Sequence, residues 1–407
     1  MKIAIIDDAG IGSGRSGLYG KELYVQVLSD INERILRNEV VKIMLGHFEN
    51  SPEVITIRGS GIPVVRAFRD SVLENRLQSV LSIERPDVLH VNVLNARYPR
   101  SIVRVAKKLG IPIVVTLHSW VYLCPTGWSV YLPELSIDRE PCVQFRCARC
   151  LGQIAKMYDL DILGRVADGY NQTLALRRLL ENARAIISPS KLLAESVRTT
   201  LRKNNVHVLL NPTPSKLLGL EPHYGGDGSL VFFARLAFEK GAHLLPSIAE
   251  SFPDITIHVM GSGPLKNLIE KASKRYKNIM YHGYVPEDTK IEIVTRSTAV
   301  LMPVLYTETF GYTVLESLVL GKAIVCFAIG GPKEMVEASR GGLLAKPFDV
   351  KDFVQKVQYL IENPAEGKAM GMKGRKWVED NLHPNQYADA LGRIYKRALN
   401  NLANNHM

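Results

Sequence analysis

The sequence predicts an α/β protein built as two doubly wound domains that face each other across a cleft. Three observations carry this. The chain has 407 residues, too long for one ordinary core and suited to two of roughly 150–200 residues each. Short apolar runs alternate with amphipathic stretches along nearly its whole length, the pattern of a parallel sheet covered on both faces. A proline-rich stretch, Asn211-Pro212-Thr213-Pro214, interrupts that alternation near the middle and reads as a hinge.

The elements follow in order. Lys2 to Ile6 reads as the first strand, the stretch Gly10 to Gly20 as a glycine-rich loop, and the segment carrying Leu23, Val27, Leu28 and Ile31 as a helix. Val40 to Leu45, Val88 to Val93 and Ile111 to Leu117 are further strands, with helices over Phe68 to Ile83 and Ser101 to Lys108. After the hinge, Leu230 to Ala234, Ile255 to Met260, Met280 to His282, Ala299 to Pro303 and Ala323 to Phe327 read as strands separated by helices. The expected division is 1–212 for the front domain and 213–385 for the second, with the tail from 386 to 407 helical and fraying at its end. In such sheets ligands lie beyond the carboxyl ends of the strands, which places a ligand in the cleft.

Composition narrows the function. No apolar run approaches the roughly 18–20 residues that span a bilayer, and Ile3 to Ile6 is too short for a secretory signal core. A cytoplasmic protein is therefore expected. Of the net charge of +11, residues 97–212 contribute +9, with 17 Lys and Arg against 8 Asp and Glu. Arg97, Arg100, Arg104, Lys107, Lys108, Arg177, Arg178, Arg198, Arg202 and Lys203 stand out. The excess fits either an anionic partner or a solvated basic face.

Several motifs carry chemistry, each beside a plainer reading. Gly12-Ser13-Gly14-Arg15-Ser16-Gly17 matches G-x-G-x-x-G, but its strand ends early and Gly46-His47 closes the second strand without an acid; a flexible loop near a phosphate fits better than a dinucleotide fingerprint. Asp159-Leu160-Asp161 matches D-x-D, and chance explains it. Cys124, Cys142, Cys147 and Cys150 lie within 27 positions; a structural zinc, a disulfide and free thiols all remain open.

The densest chemistry lies from Thr307 to Glu316. A strand ends before it, and Gly311 precedes a helix whose first amides, Tyr312, Thr313, Val314 and Leu315, make an anion site. Glu308 and Glu316 can both point into one cleft, where carboxylates accept from sugar hydroxyls. Arg235 and Lys240, after the first strand of the second domain, would neutralise a diphosphate. Gly261-Ser262-Gly263-Pro264 permits close backbone approach, and Gly283-Tyr284-Val285-Pro286 can flank a flat base.

These residues resemble the family-4 retaining glycosyltransferases of the GT-B fold, most densely from Leu230 to Phe348. The family's Glu-x7-Glu appears as Glu308 and Glu316, its Arg…Lys-Gly as Arg235 and Lys240, its Gly-Gly-x-x-Glu as Gly330, Gly331 and Glu334, and its strand-end histidine as His118. The chain departs at Ser119, Ala234 and Val304, none of which removes a charge expected at the diphosphate. The resemblance implies transfer of a hexose from a nucleotide-diphosphate sugar to a hydroxyl acceptor, with no cofactor or metal required. It implies that Glu316 holds the ribose, Glu308 the donor sugar, and Arg235 and Lys240 the diphosphate. It also places the Thr309, Phe310, Gly311 and Tyr312 backbone against the sugar, His118 near the anomeric carbon, and the Gly12 loop over the phosphate. The final helix would cross back onto the front domain. The basic front domain suggests an acceptor that is a lipid-linked glycan, and a peripheral position on an anionic membrane. The alternative weighed is a sugar-nucleotide epimerase of related fold; a nucleic-acid binder would leave the acidic and basic cleft residues unexplained.

Overall fold

A computed structural model of the chain describes residues 1–8, 20–46, 54–59, 70–92, 98–123 and 162–403. The Gly12 loop, Arg97, the Asp159–Asp161 tripeptide, the cysteines Cys124, Cys142, Cys147 and Cys150, and the last four residues lie outside the described residues.

Two fully parallel sheets form. The first has seven strands in the order β3-β2-β1-β4-β5-β6-β7: β1 Lys2–Asp8, β2 Glu39–Leu45, β3 Val54–Ile57, β4 Val88–Val91, β5 Ile113–Thr116, β6 Ala185–Ser188 and β7 Val206–Val208. The second has six, in the order β10-β9-β8-β11-β12-β13: β8 Leu230–Phe233, β9 Ile257–Met260, β10 Ile279–Gly283, β11 Ala299–Met302, β12 Ala323–Phe327 and β13 Gly342–Ala345. Both orders reverse direction next to their first strand, between β1 and β4 and between β8 and β11. A crevice opens at the carboxyl ends at each of those points. Helices on both faces bury the central strands β1, β4, β5, β6, β8, β11 and β12 almost completely, which is why these read as apolar runs.

Four strands went unanticipated: β3, β6, β7 and β13. β3, β7 and β13 are sheet edges whose positions are partly exposed, unlike the anticipated and equally short β4, β5, β8, β9 and β11; β6, though interior, is only the four residues Ala-Ile-Ile-Ser. The expected helix from Phe68 starts instead at Ser71, because Asp70 caps it by accepting from the Leu73 amide at 3.0 Å.

The chain's last helix returns to the first sheet's layer. The last described helix, Pro384–Ala403, buries Tyr387, Ala388, Leu391, Ile394, Tyr395 and Ala398 against Ile3, Ile5, Tyr24, Leu28 and Val114 of the first sheet's layer. Its two tyrosines close a buried polar network. The Tyr387 hydroxyl meets that of Tyr24 at 2.6 Å, and Tyr24 meets Thr116 Oγ1 at 2.9 Å. Thr116 Oγ1 lies 2.7 Å from His90 Nε2, whose Nδ1 lies 2.6 Å from the Tyr395 hydroxyl. Burial lowers His90 to about 3, so the ring is neutral and bridges two hydroxyls.

Candidate active site

The walls of the cleft are built at the two reversal points. On the front wall, β5 ends at Thr116 and the chain turns through His118, Ser119 and Trp120. His118 is held by Asn92, which follows β4, with Nε2 3.0 Å from Asn92 Oδ1, and by the Tyr24 ring packed edge-on at 4.9 Å. Burial first, then Lys21 and His90, lower His118 well below an ordinary histidine, so it stands in the cleft as a neutral imidazole. Asp7 and Asp8 end β1, and Lys21 clamps them. Its ammonium donates to the Asp8 backbone carbonyl and to Asp8 Oδ1 and pairs with Asp7 Oδ1 at 2.7 Å. Burial raises Asp7 to about 6, with Lys21 opposing it. Lys21 therefore ties together the two ends of the glycine loop.

On the second wall, β8 ends at Phe233 and leads into Arg235 and Lys240. The Arg235 guanidinium pairs with the buried Glu239. The Lys240 ammonium lies 2.8 Å from Glu308 Oε1 and 3.1 Å from the Tyr306 hydroxyl. Burial works against its charge, but Glu308 and Tyr306 outweigh burial and raise Lys240 above an ordinary lysine. The other Glu308 oxygen, Oε2, is buried with no hydrogen-bond partner. An unpaired buried acceptor is costly, so this oxygen is poised for a donor that the protein does not supply.

Glu308 is set by close backbone contact. Its carbonyl accepts from the Gly331 amide at 2.8 Å. A Cβ on Gly330, at φ +63°, would sit 2.6 Å from the Glu308 carbonyl oxygen, and one on Gly331 would sit 2.6 Å from that of Thr309. The Gly-Gly pair thus lets the helix Gly330–Ser339 abut the Glu308 loop. Its Glu334 reaches the other way, accepting from the amides of Lys191 and Leu192, both at 2.8 Å, at the start of a front-layer helix.

The helix Tyr312–Val319 begins one residue after Gly311. Its anion-binding end is narrower than expected: the amides of Val314 and Leu315 bond the Gly311 carbonyl at 3.0 and 3.2 Å. The open end is left to Tyr312 and Thr313. Phe310 and Val314 are buried core residues, so only their backbone faces the site. One turn in, Glu316 Oε2 accepts from Lys290 Nζ at 2.7 Å. Burial raises Glu316 above an ordinary carboxylate, against the pull of Lys290. Lys290 sits on the helix Glu287–Arg296, which follows the Gly283–Pro286 turn. Tyr284 on that turn is 51% exposed, open to a flat partner. The space beside Gly261 is taken within the protein, since a Cβ there would lie 2.0 Å from the Ala234 carbonyl oxygen.

His118, Arg235, Lys240, Glu308, Glu316 and the Gly311 helix start therefore all lie at carboxyl ends of strands. The walls also touch: the Thr309 hydroxyl donates to the His118 carbonyl at 3.2 Å, and the Trp120 indole donates to the Thr307 carbonyl. Sequence reasoning missed Lys290, Asn92, Lys21 and the bond made by Trp120. A cavity of about 600 Å³ lined by Lys107, Pro112, Arg184, Lys203 and Asn205 opens at the opposite, amino ends of β5 to β7.

Comparison with known proteins decides the family. A model described as "Glycosyl transferases group 1" matches residues 221–377, and one described as "Glycosyl transferase 4-like domain" matches 48–212. The chain belongs to the group 1 glycosyltransferases of family-4 type, with the GT-B fold. Among relatives of this glycosyltransferase is the 2-deoxystreptamine glucosyltransferase of Streptomyces kanamyceticus, 26% identical over 72% of this chain and 73% of that protein. Among solved structures, sucrose-phosphate synthase from Thermosynechococcus elongatus aligns with a TM-score of 0.71 at 17% identity, covering 97% of this chain and 98% of that one. Anabaena Alr3699/HepE in complex with UDP-glucose aligns at 0.67 and 15%, covering 97% and 100%. Most of these relatives are named as transferases and none as an epimerase.

Proposed function

We propose that this glycosyltransferase moves a hexose from a nucleotide-diphosphate sugar to a hydroxyl acceptor with retention of configuration, the front domain spanning 1–212 and the donor domain 213–385. The observation that carries the proposal is the state of Glu308. One of its carboxylate oxygens is neutralised by Lys240 at 2.8 Å, and the other is buried and unpartnered beside the open end of the Gly311 helix. A sugar hydroxyl satisfies that oxygen. Tyr312 and Thr313 amides, Arg235 and Lys240 take the diphosphate, and Glu316 takes the ribose hydroxyls. Positive charge and helix dipole then stabilise the departing diphosphate, the role a metal plays elsewhere. The leaving phosphate oxygen deprotonates the acceptor on the same face, with His118 a neutral neighbour at the anomeric end. A complex with UDP-glucose in a protein of the same fold supports the donor class.

The test begins with a thermal-shift panel of UDP-glucose, GDP-mannose and ADP-glucose, each with and without EDTA. One of them is expected to raise the melting temperature with or without EDTA; no stabilisation by any would refute the donor site. Glu308→Gln is expected to cut transfer at least a hundredfold while the melting temperature holds. Near-normal transfer refutes the role given to Glu308.

For the acceptor we propose a lipid-linked glycan reached at an anionic membrane. Burial, then the nearby charges of Arg104 and Arg178, lower Arg100; Arg104 pairs with Glu74 and Arg100 donates to Asn171. Leu174, on the same helix as Arg178, is 59% exposed. Two other cations of the basic stretch are engaged by backbone carbonyls instead. Arg177 donates to the carbonyls of Tyr122 and Leu123 at 3.3 and 3.4 Å, and Lys203 to that of Glu181 at 2.7 Å. No described helix is long and apolar enough to cross a membrane. Arg178→Glu with Leu174→Ser is expected to weaken sedimentation with phosphatidylglycerol vesicles at least fivefold; unchanged sedimentation removes the membrane from the reading.

A further inference from the structure

The turn Ser119–Trp120 grips Glu308 from across the cleft. The Trp120 indole, 1% exposed, donates to the carbonyl of Thr307, and the His118 carbonyl accepts from the hydroxyl of Thr309 at 3.2 Å. These two bonds land on the residues immediately before and after Glu308, and both come from one front-wall turn. The turn is itself held from behind. Ser119 Oγ accepts from the Val121 amide at 3.2 Å, the Thr173 hydroxyl donates to the Val121 carbonyl at 3.0 Å, and Arg177 donates to the next two carbonyls.

The bonds that fix Glu308 therefore fall into two sets. Those from Lys240 and from the Gly331 amide arise within the second sheet's own layer and survive any movement of the sheets. Those from Trp120 and to His118 cross the cleft and exist only while the walls touch. We propose that Trp120 is a positioning residue for Glu308: closure of the cleft seats the 118–120 turn on both flanks of the carboxylate, so the sugar contact is complete only in the closed enzyme. The inference rests on the assignment of Glu308 to the donor sugar. It gives closure a structural consequence at the reacting end of the donor, beyond exclusion of water. The bond to Thr307 needs an indole N–H, which phenylalanine lacks while still filling most of the volume.

The experiment uses the full chain and whichever of UDP-glucose, GDP-mannose or ADP-glucose raises its melting temperature. Trp120→Phe is expected to lower kcat for hydrolysis of that donor at least tenfold, while affinity for the bare nucleotide diphosphate, measured by calorimetry, stays within twofold. A packing role alone would move nucleotide affinity and melting temperature together, and that result overturns the proposal, as does a kcat within twofold of wild type. Thr309→Val, which removes the other flank, replaces it if Trp120→Phe does not fold, with the same expectations. A second readout is independent of turnover. With Trp128→Phe and Trp377→Phe, Trp120 is the sole tryptophan, and donor is expected to reduce acrylamide quenching of its emission at least twofold; unchanged quenching refutes closure at this turn. If Glu308→Gln stays active, or no sugar nucleotide binds, the underlying assignment fails and this inference with it. If Glu308→Gln is inactive and Trp120→Phe is normal, this inference alone fails.

Discussion

Replacing Lys290 by Met tests the nucleotide end of the cleft, because Lys290 is the cation that lets Glu316 stay ionised. The pair is 2.7 Å apart with side chains 18% and 15% exposed, and Glu287 at 3.1 Å is the other carboxylate on Lys290. Burial already raises Glu316, and Lys290 is the main influence holding it down. Met keeps the aliphatic bulk and removes the charge, so Glu316 shifts further up and protonates at higher pH. A carboxylate accepting from a ribose hydroxyl makes a charge-assisted bond of about 1.5–3 kcal/mol. Losing the ionised form therefore weakens nucleotide affinity by about 10- to 100-fold. The ionised form is the binding form, so affinity in the variant rises as pH rises through the shifted value. Stability runs the other way. With its folded value raised, the folded chain binds more protons than the unfolded one, and stability is lost as pH rises through the folded value. Calorimetry with the preferred nucleoside diphosphate from pH 5.5 to 8.5, beside melting curves at the same pH values, measures both. Affinity within twofold of wild type across that range refutes the claim that Lys290 sets the charge of Glu316.

Three further outcomes follow from particular contacts. Gly331→Ala places a Cβ 2.6 Å from the Thr309 carbonyl oxygen; it is expected to cost about 1–3 kcal/mol and to lower kcat more than it weakens nucleotide binding, as steady-state kinetics would show. Tyr387→Phe removes one hydroxyl from the chain joining the crossing helix to Thr116 and is expected to cost about 1–2 kcal/mol of stability in urea titration. His90 stays neutral when folded and protonates near 6.5 when unfolded. The unfolded chain thus binds more protons below that value, and stability falls as pH drops through it, by about 2 kcal/mol at pH 5; His90→Gln is expected to shrink the difference between urea midpoints at pH 7.5 and 5.

What the sequence disclosed and what it hid divide along a physical line. Arg235, Lys240 and Glu308 were legible because each follows an apolar run by a few residues, and strand ends are where such sheets bind ligands; Glu316 was read from its place one turn inside the helix after Gly311, and His118 from the family resemblance. Lys290 was not, since it lies three residues inside an ordinary charged helix, where a lysine paired with Glu287 looks like surface. Trp120 was visible as a residue of the His118 segment, but its bond to Thr307 spans 187 positions, and no local pattern encodes that. Of the four unforeseen strands only β6 has a neighbour on both sides; β3, β7 and β13 are sheet edges. Their existence is a property of the sheet rather than of three or four residues alone. The crossing helix was expected from resemblance; the tyrosine–histidine network it completes depends on five side chains from four elements meeting.

The charge pairing in the cleft explains how the site tolerates being empty. Two carboxylates, each about 15% exposed, face the donor space, and burying either without a counter-charge is expensive. Each has a lysine from the same sheet's layer: Lys240 for Glu308 and Lys290 for Glu316. The pairing is lopsided in a useful way. Lys240 takes only Oε1 of Glu308, so the other oxygen is free for a sugar hydroxyl before anything binds, while Lys240, bonded also to Tyr306, keeps one N–H to offer a diphosphate. On the proposed reading, a sugar hydroxyl at Glu308 Oε2 adds a contact to a carboxylate whose charge is already balanced. Such an arrangement costs little reorganisation at the moment of reaction, which is the condition for electrostatic stabilisation to be effective. The front wall contributes the opposite kind of group, a neutral imidazole held by Asn92 and packed against Tyr24, which adds no net charge to the anomeric end. Charge balance thus resides in the second sheet's loops and helix starts, and the bonds that depend on closure reside in the turn at Trp120.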